Sequence, residues 1–143
     1  MFALIAPACI LYPHDAVKVP AVEGRLLLND LPVADAVVRY SADANAEDCD
    51  PEHGRAVTSF DGRFRFKGTS VREWVQMLPP FLCESGRMIC IKTPDGRKVH
   101  WSEGARGFCS QPAQVDLVCD IAPDRIDRDT ACVAAEDYER EMW

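Results

Sequence analysis

Two side chains that can ligate metals, Cys49 and His53, lie four residues apart in the acidic segment DCDPEHG. Thiolate and imidazole are the usual zinc ligands of proteins, and this spacing would place both on one face of a helix. Pro51 and Gly54 oppose a helix at this point. A calcium loop starting at Asp43 fails as well, because its twelfth residue would be Gly54 rather than Glu. We therefore expect no metal and no cofactor, and interpret the segment as an exposed acidic loop held by a disulfide through Cys49.

Nucleophilic catalysis has no local signature in this sequence. The motifs GxSxG, HExxH and SxxK and a glycine-rich phosphate loop do not occur in it. Its three histidines, His14, His53 and His100, are far apart, and no local motif joins any of them to a cysteine or serine. Paired carboxylates lie in charged segments that water would reach, where their pKa values would not separate. The sequence predicts a protein that is not an enzyme.

The seven cysteines are dispersed, and the closest two, Cys83 and Cys90, have six residues between them. Dispersed cysteines of this kind predict disulfides in an oxidising compartment. Cys9 is the odd one, and six others form the expected framework: Cys49, Cys83, Cys90, Cys109, Cys119 and Cys132. Six cysteines allow fifteen pairings, and the sequence does not choose among them. Cys90 and Cys119 both fall in predicted strands and could bridge neighbouring strands.

The first thirteen residues, MFALIAPACILYP, carry no charge. The small residues before Cys9 resemble the end of a bacterial lipoprotein signal, so residues 1–19 are interpreted as a signal remnant and linker with Cys9 as a lipidation candidate. The alternative is an apolar N-terminal strand with a free thiol. No stretch reaches the roughly 20 apolar residues of a membrane-spanning helix. We expect a periplasmic protein, anchored to the outer membrane if Cys9 carries a lipid.

The chain is acidic, with a net charge of −7 and a pI near 4.9. Nucleic acids and anionic membrane surfaces require clustered Lys and Arg, so neither is an expected partner, and a lipid on Cys9 is the only membrane contact predicted. The acids are concentrated in two segments. Residues 43–52 hold five acids and no base, and residues 116–143 hold nine acids against three bases. A partner that binds either segment should be basic.

Turn residues and alternating apolar residues predict about seven strands, within 22–29, 35–42, 55–60, 63–68, 87–93, 97–101 and 113–122. Asp61-Gly62 and the segment PDG at 94–96 predict hairpin turns. Apolar residues at helical spacing in 70–78 favour a short helix or a connecting turn, and 103–112 reads as a loop. Thr130 is a candidate N-cap for a C-terminal helix at about 130–142. Residues 20–143 are therefore expected to form one mainly β domain, an antiparallel β-sandwich with a C-terminal α-helix.

The segments VEGRLLLNDLPVADAVVRY and TSFDGRFRF resemble the first half of a transthyretin-like, or carboxypeptidase-regulatory-like, domain. The positions that carry the resemblance are Gly24, Pro32, Val33, Ala36, Val37, Thr58, Gly62, Phe64 and Phe66. The resemblance covers roughly residues 20–68. It implies a β-sandwich in which Ala36 and Val37 pack inside and Gly62 forms the tight turn before two inward aromatics. It says little about activity, because such modules mostly bind proteins or sugars.

Aromatic residues and acids supply the candidate contacts to a partner. Trp74 is expected in the core, and Trp101 at the end of a strand. Tyr138 and Trp143 either pack the terminal helix on the sheet or serve as rigid anchors rimmed by charge. The candidate partner-binding residues are Asp48, Asp50, Glu52, Trp101, Glu136, Tyr138, Glu139 and Trp143.

These features together resemble the periplasmic immunity proteins that bacteria keep against type VI secretion toxins. We therefore expect a non-catalytic exported protein that occludes the basic cleft of a secreted toxin with its acidic loop or terminal helix. The alternative is a structural or carbohydrate-binding module of the cell envelope, with an aromatic groove around Trp101 or Trp74. A third alternative is an enzyme with a metal site at Cys49 and His53. It requires Cys49 to be a reduced thiol.

Overall fold

The computed structural model describes residues 9–77, 82–108, 113–127 and 131–141. Within these ranges the chain forms eleven strands and two short helices. The strands are β1 Cys9–Val19, β2 Ala21–Leu28, β3 Leu31–Pro32, β4 Val37–Ser41, β5 Gly54–Val57, β6 Arg63–Phe66, β7 Thr69–Met77, β8 Leu82–Lys92, β9 Lys98–Phe108, β10 Gln114–Asp120 and β11 Cys132–Ala134. The helices are α1 Pro123–Asp127 and α2 Ala135–Glu141. The predicted mainly β fold with a short C-terminal helix is confirmed.

The strands form three sheets. Sheet I has the order β11-β10-β2-β3, with β6 also paired to β2, and sheet II has the order β5-β4-β8-β9. A third sheet contains β1 and β7, which form an antiparallel ribbon. Residues 9–19, which the sequence assigned to a linker, thus form strand β1. The described strand pairs are antiparallel as expected, with the exception of β10 and β2, which run parallel.

Sheets I and II enclose one hydrophobic core. Strand alternation sends Val22 and Leu26 of β2 inward from sheet I, and Val38 and Tyr40 of β4 inward from sheet II. The rings of Tyr40 and Phe66 stack across the two sheets with centroids 5.7 Å apart. This facing arrangement is that of a β-sandwich.

Strand β6 shows the alternation that the sequence predicted. Phe64 and Phe66 are buried, whereas Arg63 and Arg65 are exposed. Ala36 is buried, also as expected, but Val37 is only half-buried and Val38 takes the inward position. The prediction of an inward Val37 is therefore wrong by one residue, because Ala36 precedes the strand and does not set its alternation.

The Asp61-Gly62 turn forms, but the expected hairpin does not. Gly62 has a φ of 77°, a left-handed conformation that favours glycine. Strand β5 before the turn pairs with β4 in sheet II, whereas β6 after it pairs with β2 in sheet I. The connection therefore crosses between the layers of the sandwich. The second predicted turn, at 94–96, does join a hairpin, between β8 and β9.

Three further predictions of secondary structure are wrong. Residues 70–77 belong to strand β7, whose pairing with β1 outweighs the helical spacing of its apolar residues, and Trp74 is 63% exposed rather than in the core. Residues 103–108 extend β9 instead of forming a loop. The C-terminal helix begins at Ala135, because residues 132–134 form β11 beside β10. Thr130 lies outside the described residues.

Two disulfides occur among the described residues, Cys49–Cys90 and Cys119–Cys132, so the prediction of disulfides is confirmed. Cys119 lies directly opposite Cys132 on the neighbouring strands β10 and β11, and Cys90 does not bond to Cys119. Disulfides are typical of proteins that mature outside the cytoplasm. Neither described helix is long and apolar enough to cross a bilayer.

Candidate functional site

The acidic loop, residues 42–53 between β4 and β5, lies on the outer face of sheet II. Cys90 points to this face, away from the core residues Ile89 and Ile91 beside it on β8. The disulfide ties Cys49 to Cys90 beneath the loop, and both residues are buried. At the other end of the crossing, a Cβ atom on Gly86 would lie 2.3 Å from Cβ of Ala44. The loop therefore crosses β8 closely from Gly86 to Cys90.

Asp48 holds the loop to two strands of the sheet. The backbone at Asp48 and Cys49 is left-handed, with φ values of 48° and 58°. Oδ1 of Asp48 accepts hydrogen bonds from Nη2 of Arg39 at 2.8 Å and from Nε2 of His100 at 3.0 Å. The Arg39 guanidinium chiefly, with His100 adding to it, lowers the pKa of the Asp48 carboxyl. Asp48 thus stays charged in mildly acidic solution, and its hydrogen bonds hold the loop to β4 and β9.

The other acids of the loop divide into paired and unpaired groups. Glu52 binds Arg55 with two hydrogen bonds of 3.0 and 2.9 Å, which lower the pKa of its carboxyl. Asp43 accepts a hydrogen bond from the backbone N–H of Asn45 at 2.9 Å. Glu47 and Asp50 are exposed, and their side chains make no hydrogen bond or ion pair within the described part of the chain. These two carboxylates are the ones left available to a partner.

The loop forms a concave acidic surface with a volume of about 550 Å³. It is lined by Arg39, Glu47, Asp48, Cys49, Asp50 and Glu52. Four of these six residues are acids, and one cation, Arg39, is already bound to Asp48. The surface is therefore negative where a partner would enter it.

The disulfide decides what the nearby metal-ligand types can do. Asp48, Cys90 and His100 place one ligand atom each within 4.8 Å of one another. The Cys90 sulfur is bonded to Cys49, so neither sulfur is a thiolate that could ligate zinc. The same bond removes Cys49 from a zinc pair with His53, whose Nδ1 instead accepts the backbone N–H of Ala42 at 3.1 Å.

Two of the three aromatic candidates, Trp101 and Tyr138, are buried. Trp101 is 7% exposed and belongs to the core, so its assignment as a partner contact is wrong. Tyr138 is also 7% exposed; its hydroxyl donates a hydrogen bond to Asp30, and Arg125 lies over its ring at 5.6 Å. Tyr138 therefore attaches α2 to the β2–β3 turn and is not an exposed anchor. Trp143 lies outside the described residues.

The structure separates the remaining candidates into two places. Asp48, Asp50 and Glu52 lie together on the acidic loop, whereas Glu136 and Glu139 are exposed on α2. Strand β11, which leads into α2, belongs to sheet I.

Three candidate cysteines cannot be placed by their side chains. Cys9 begins β1 and Cys83 lies in β8, but the side chains of both residues, and the whole of Cys109, are outside the part of the chain that the structure describes. The lipidation of Cys9 stays a prediction.

Sequence reasoning missed Arg39, His100 and Glu47. Arg39 and His100 reach Asp48 from strands that are distant in sequence, so only the order β4-β8-β9 brings them together. Glu47 belongs to the acidic cluster that the sequence shows. Its distinguishing property is that no cation lies beside it in the described structure, and the sequence does not contain that information.

Tyr138 gives a prediction for alkaline pH. Burial of the phenol is the larger cause and the hydrogen bond to Asp30 the second cause that together raise the pKa of Tyr138 to about 12. A raised pKa means that the neutral phenol stabilises the folded state fully below pH ~10 and that this contribution is lost as pH rises through about 12. We expect a tyrosine absorbance titration to show a phase near pH 12 that Tyr138→Phe removes. A Tyr138 phase near pH 10, the ordinary tyrosine value, would contradict the buried bond to Asp30.

No protein-family model matches this sequence, and no curated protein is significantly similar to it.

Proposed function

We propose that this chain is a non-catalytic binding protein exported to the periplasm, and that it acts as an immunity protein against a secreted bacterial toxin with a basic cleft. The observation that carries the proposal is the acidic loop itself. It is fixed to sheet II by Cys49–Cys90 and by Asp48, while Glu47 and Asp50 are exposed and form no ion pair with a described residue. A rigid loop with available carboxylates is suited to occluding a cationic site.

The attachment of the loop favours binding because it lowers the entropic cost of association. A free loop of this length would lose conformational freedom when it docks. Here the disulfide and the Asp48 hydrogen bonds already restrict the backbone before any partner arrives. The free energy gained from new ion pairs would then be retained as affinity.

Charge complementarity supports a basic partner. Opposite potentials increase association rates and exclude partners of the same sign. The net charge of −7 adds to the local field of the loop. Association should therefore be fast at low ionic strength and should slow as salt is added.

The periplasm, a lipid at Cys9 and a transthyretin-like origin of the sandwich are parts of the same proposal. The disulfides support a compartment outside the cytoplasm. The envelope-module alternative expected an aromatic groove at Trp101 or Trp74. Trp101 is buried in the core, and the exposed indole of Trp74 lies on β7, in a different sheet from Trp101, so we do not advance that alternative.

The proposal is tested by protection of cells. Toxin genes adjacent to the gene for this chain would be expressed in the periplasm of sensitive bacteria, with and without this protein. We expect one toxin to lose its toxicity and to bind the purified protein. Failure to protect against every adjacent toxin exported to the periplasm would overturn the proposal.

Charge reversal of the two unpaired carboxylates should weaken that binding. We expect Glu47→Lys with Asp50→Lys to slow association with the protecting partner at least tenfold at low salt, because steering depends on these charges. Stopped-flow mixing of the two purified proteins would measure the rate. Glu136→Lys with Glu139→Lys on α2 is the matched control. A large effect of that control and none of the loop variant would place the docking face on α2 instead.

A further inference from the structure

A second charged surface lies beside the acidic loop on the outer face of sheet II. Strand register places Arg39 of β4 opposite Arg55 of β5, and Lys92 of β8 opposite Lys98 of β9. Val37 pairs with Lys92 across β4 and β8, so the four cations occupy adjoining positions on one face. Like charges directly opposite each other destabilise a sheet. The four cations should therefore repel one another unless nearby acids offset their charge.

The two cation pairs are compensated differently. Asp48 binds Arg39 at 2.8 Å, and Glu52 binds Arg55 in a bidentate pair. Lys92 and Lys98 are both exposed, and neither side chain makes a hydrogen bond or an ion pair with any described residue. The acidic loop therefore offsets the arginines and leaves two positive charges uncompensated.

These lysines border a small cleft with a volume of about 320 Å³. Its polar lining consists of Arg39, Asp48, Arg55, Lys92, Lys98 and His100. Asp48 is the only acid among the described residues of that lining, and its hydrogen bonds to Arg39 and His100 both use Oδ1. The apolar floor is formed by Val37 and the disulfide at Cys90, whereas the side chain of Ile91, which also lines the cleft, packs in the core. The cleft thus combines an apolar floor with a positive rim.

We propose that this cleft binds a small dianion of the phosphate class, either inorganic phosphate or a phosphomonoester. Cβ atoms of directly opposed residues lie about 4.5–5.5 Å apart, so both flexible lysine side chains can reach one anionic group. Each ammonium supplies three donors to the anion's oxygens. Two uncompensated positive charges match a dianion, and the volume suits a small molecule rather than a polypeptide. An ester group would lie on the apolar floor.

Arg39 and Asp48 line both this cleft and the acidic surface, but the side chains assigned to the two ligands differ. Glu47 and Asp50, the carboxylates assigned to that contact, do not line the phosphate cleft. A variant that loses one binding activity can therefore still be tested for the other.

Titration of isotope-labelled protein followed by NMR tests the site. Inorganic phosphate and glycerol phosphate are added separately at constant ionic strength, with chloride as the reference anion. We expect saturable shifts in the amides of residues 90–92 and 98–100 for phosphate and not for chloride. Tighter binding of glycerol phosphate would identify a phosphomonoester as the ligand, and equal binding would identify phosphate itself.

The neutral variant Lys92→Gln with Lys98→Gln should raise the dissociation constant about tenfold, because two exposed ion pairs are lost. Lys67→Gln removes an exposed lysine that follows β6 of sheet I and serves as the matched control, with no expected change. Shifts that chloride reproduces, or unchanged phosphate binding by the double variant, would overturn the site. Backbone spectra of each variant confirm that it is folded.

Discussion

Replacement of Cys49 and Cys90 by alanine is expected to lower the free energy of unfolding by about 4 kcal/mol. The bond closes a segment with a sequence separation of 41 residues, and its loss returns that entropy to the unfolded chain. Both residues are buried beneath the acidic loop, so the loop should also lose its covalent attachment to sheet II and keep only the hydrogen bonds of Asp48 to Arg39 and His100. Urea unfolding measures the first effect, and amide hydrogen exchange across residues 43–52 measures the second.

The second disulfide is the control for this prediction. Cys119 and Cys132 are separated by 13 residues, for which the same entropy relation gives about 3 kcal/mol. Their replacement by alanine should leave exchange in the acidic loop unchanged, because they join β10 to β11 in sheet I. Unchanged loop protection in the Cys49→Ala/Cys90→Ala variant would show that Asp48 alone holds the loop. Protein–toxin association that survives loop release would contradict the importance of rigidity.

The sequence predicted elements wherever one face of a strand is buried and the other exposed. Phe64 and Phe66 alternate with arginines on β6, and Leu117 and Cys119 alternate with less buried residues on β10. A strand with one face on the core and the other in water needs alternating apolar and polar residues, and this alternation is visible in the local sequence. Prediction failed at β7, where Val71 and Trp74 are both exposed and their helical spacing has no relation to a core.

The candidate site was predictable only in part, for a similar reason. The acidic composition of residues 43–52 is visible in the sequence, and so is a cysteine within them. The choice of Cys90 as the partner of Cys49 depends on how the loop crosses β8. The cation pairs beside the loop depend on the register of β4 with β5 and of β8 with β9. Register is set by tertiary pairing, so long-range contacts of this kind are not contained in a local pattern.

Gly24, in strand β2 of sheet I, is expected to tolerate no larger side chain, with Gly24→Ala costing about 3 kcal/mol of unfolding free energy. Gly24 lies opposite Phe64 on the paired strands β2 and β6. A Cβ atom at Gly24 would lie 2.1 Å from Cζ of the Phe64 ring, and 2.6 and 2.7 Å from its two Cε atoms. The buried ring fills the space that a side chain would need, which explains why this strand carries a glycine. Urea unfolding of the variant gives the cost.

A double-mutant cycle separates this collision from the general cost of losing a glycine. Phe64→Leu removes Cζ and both Cε carbons of the ring, which are the three atoms nearest the added Cβ, so Gly24→Ala should cost at least about 1 kcal/mol less in that background. Gly96→Ala is the matched control: its φ of 89° imposes backbone strain, but a Cβ there meets nothing within 4 Å. Strain alone should cost about 1 kcal/mol. Equal costs for Gly24→Ala with and without the phenylalanine ring would show that the ring is not what excludes a side chain from β2.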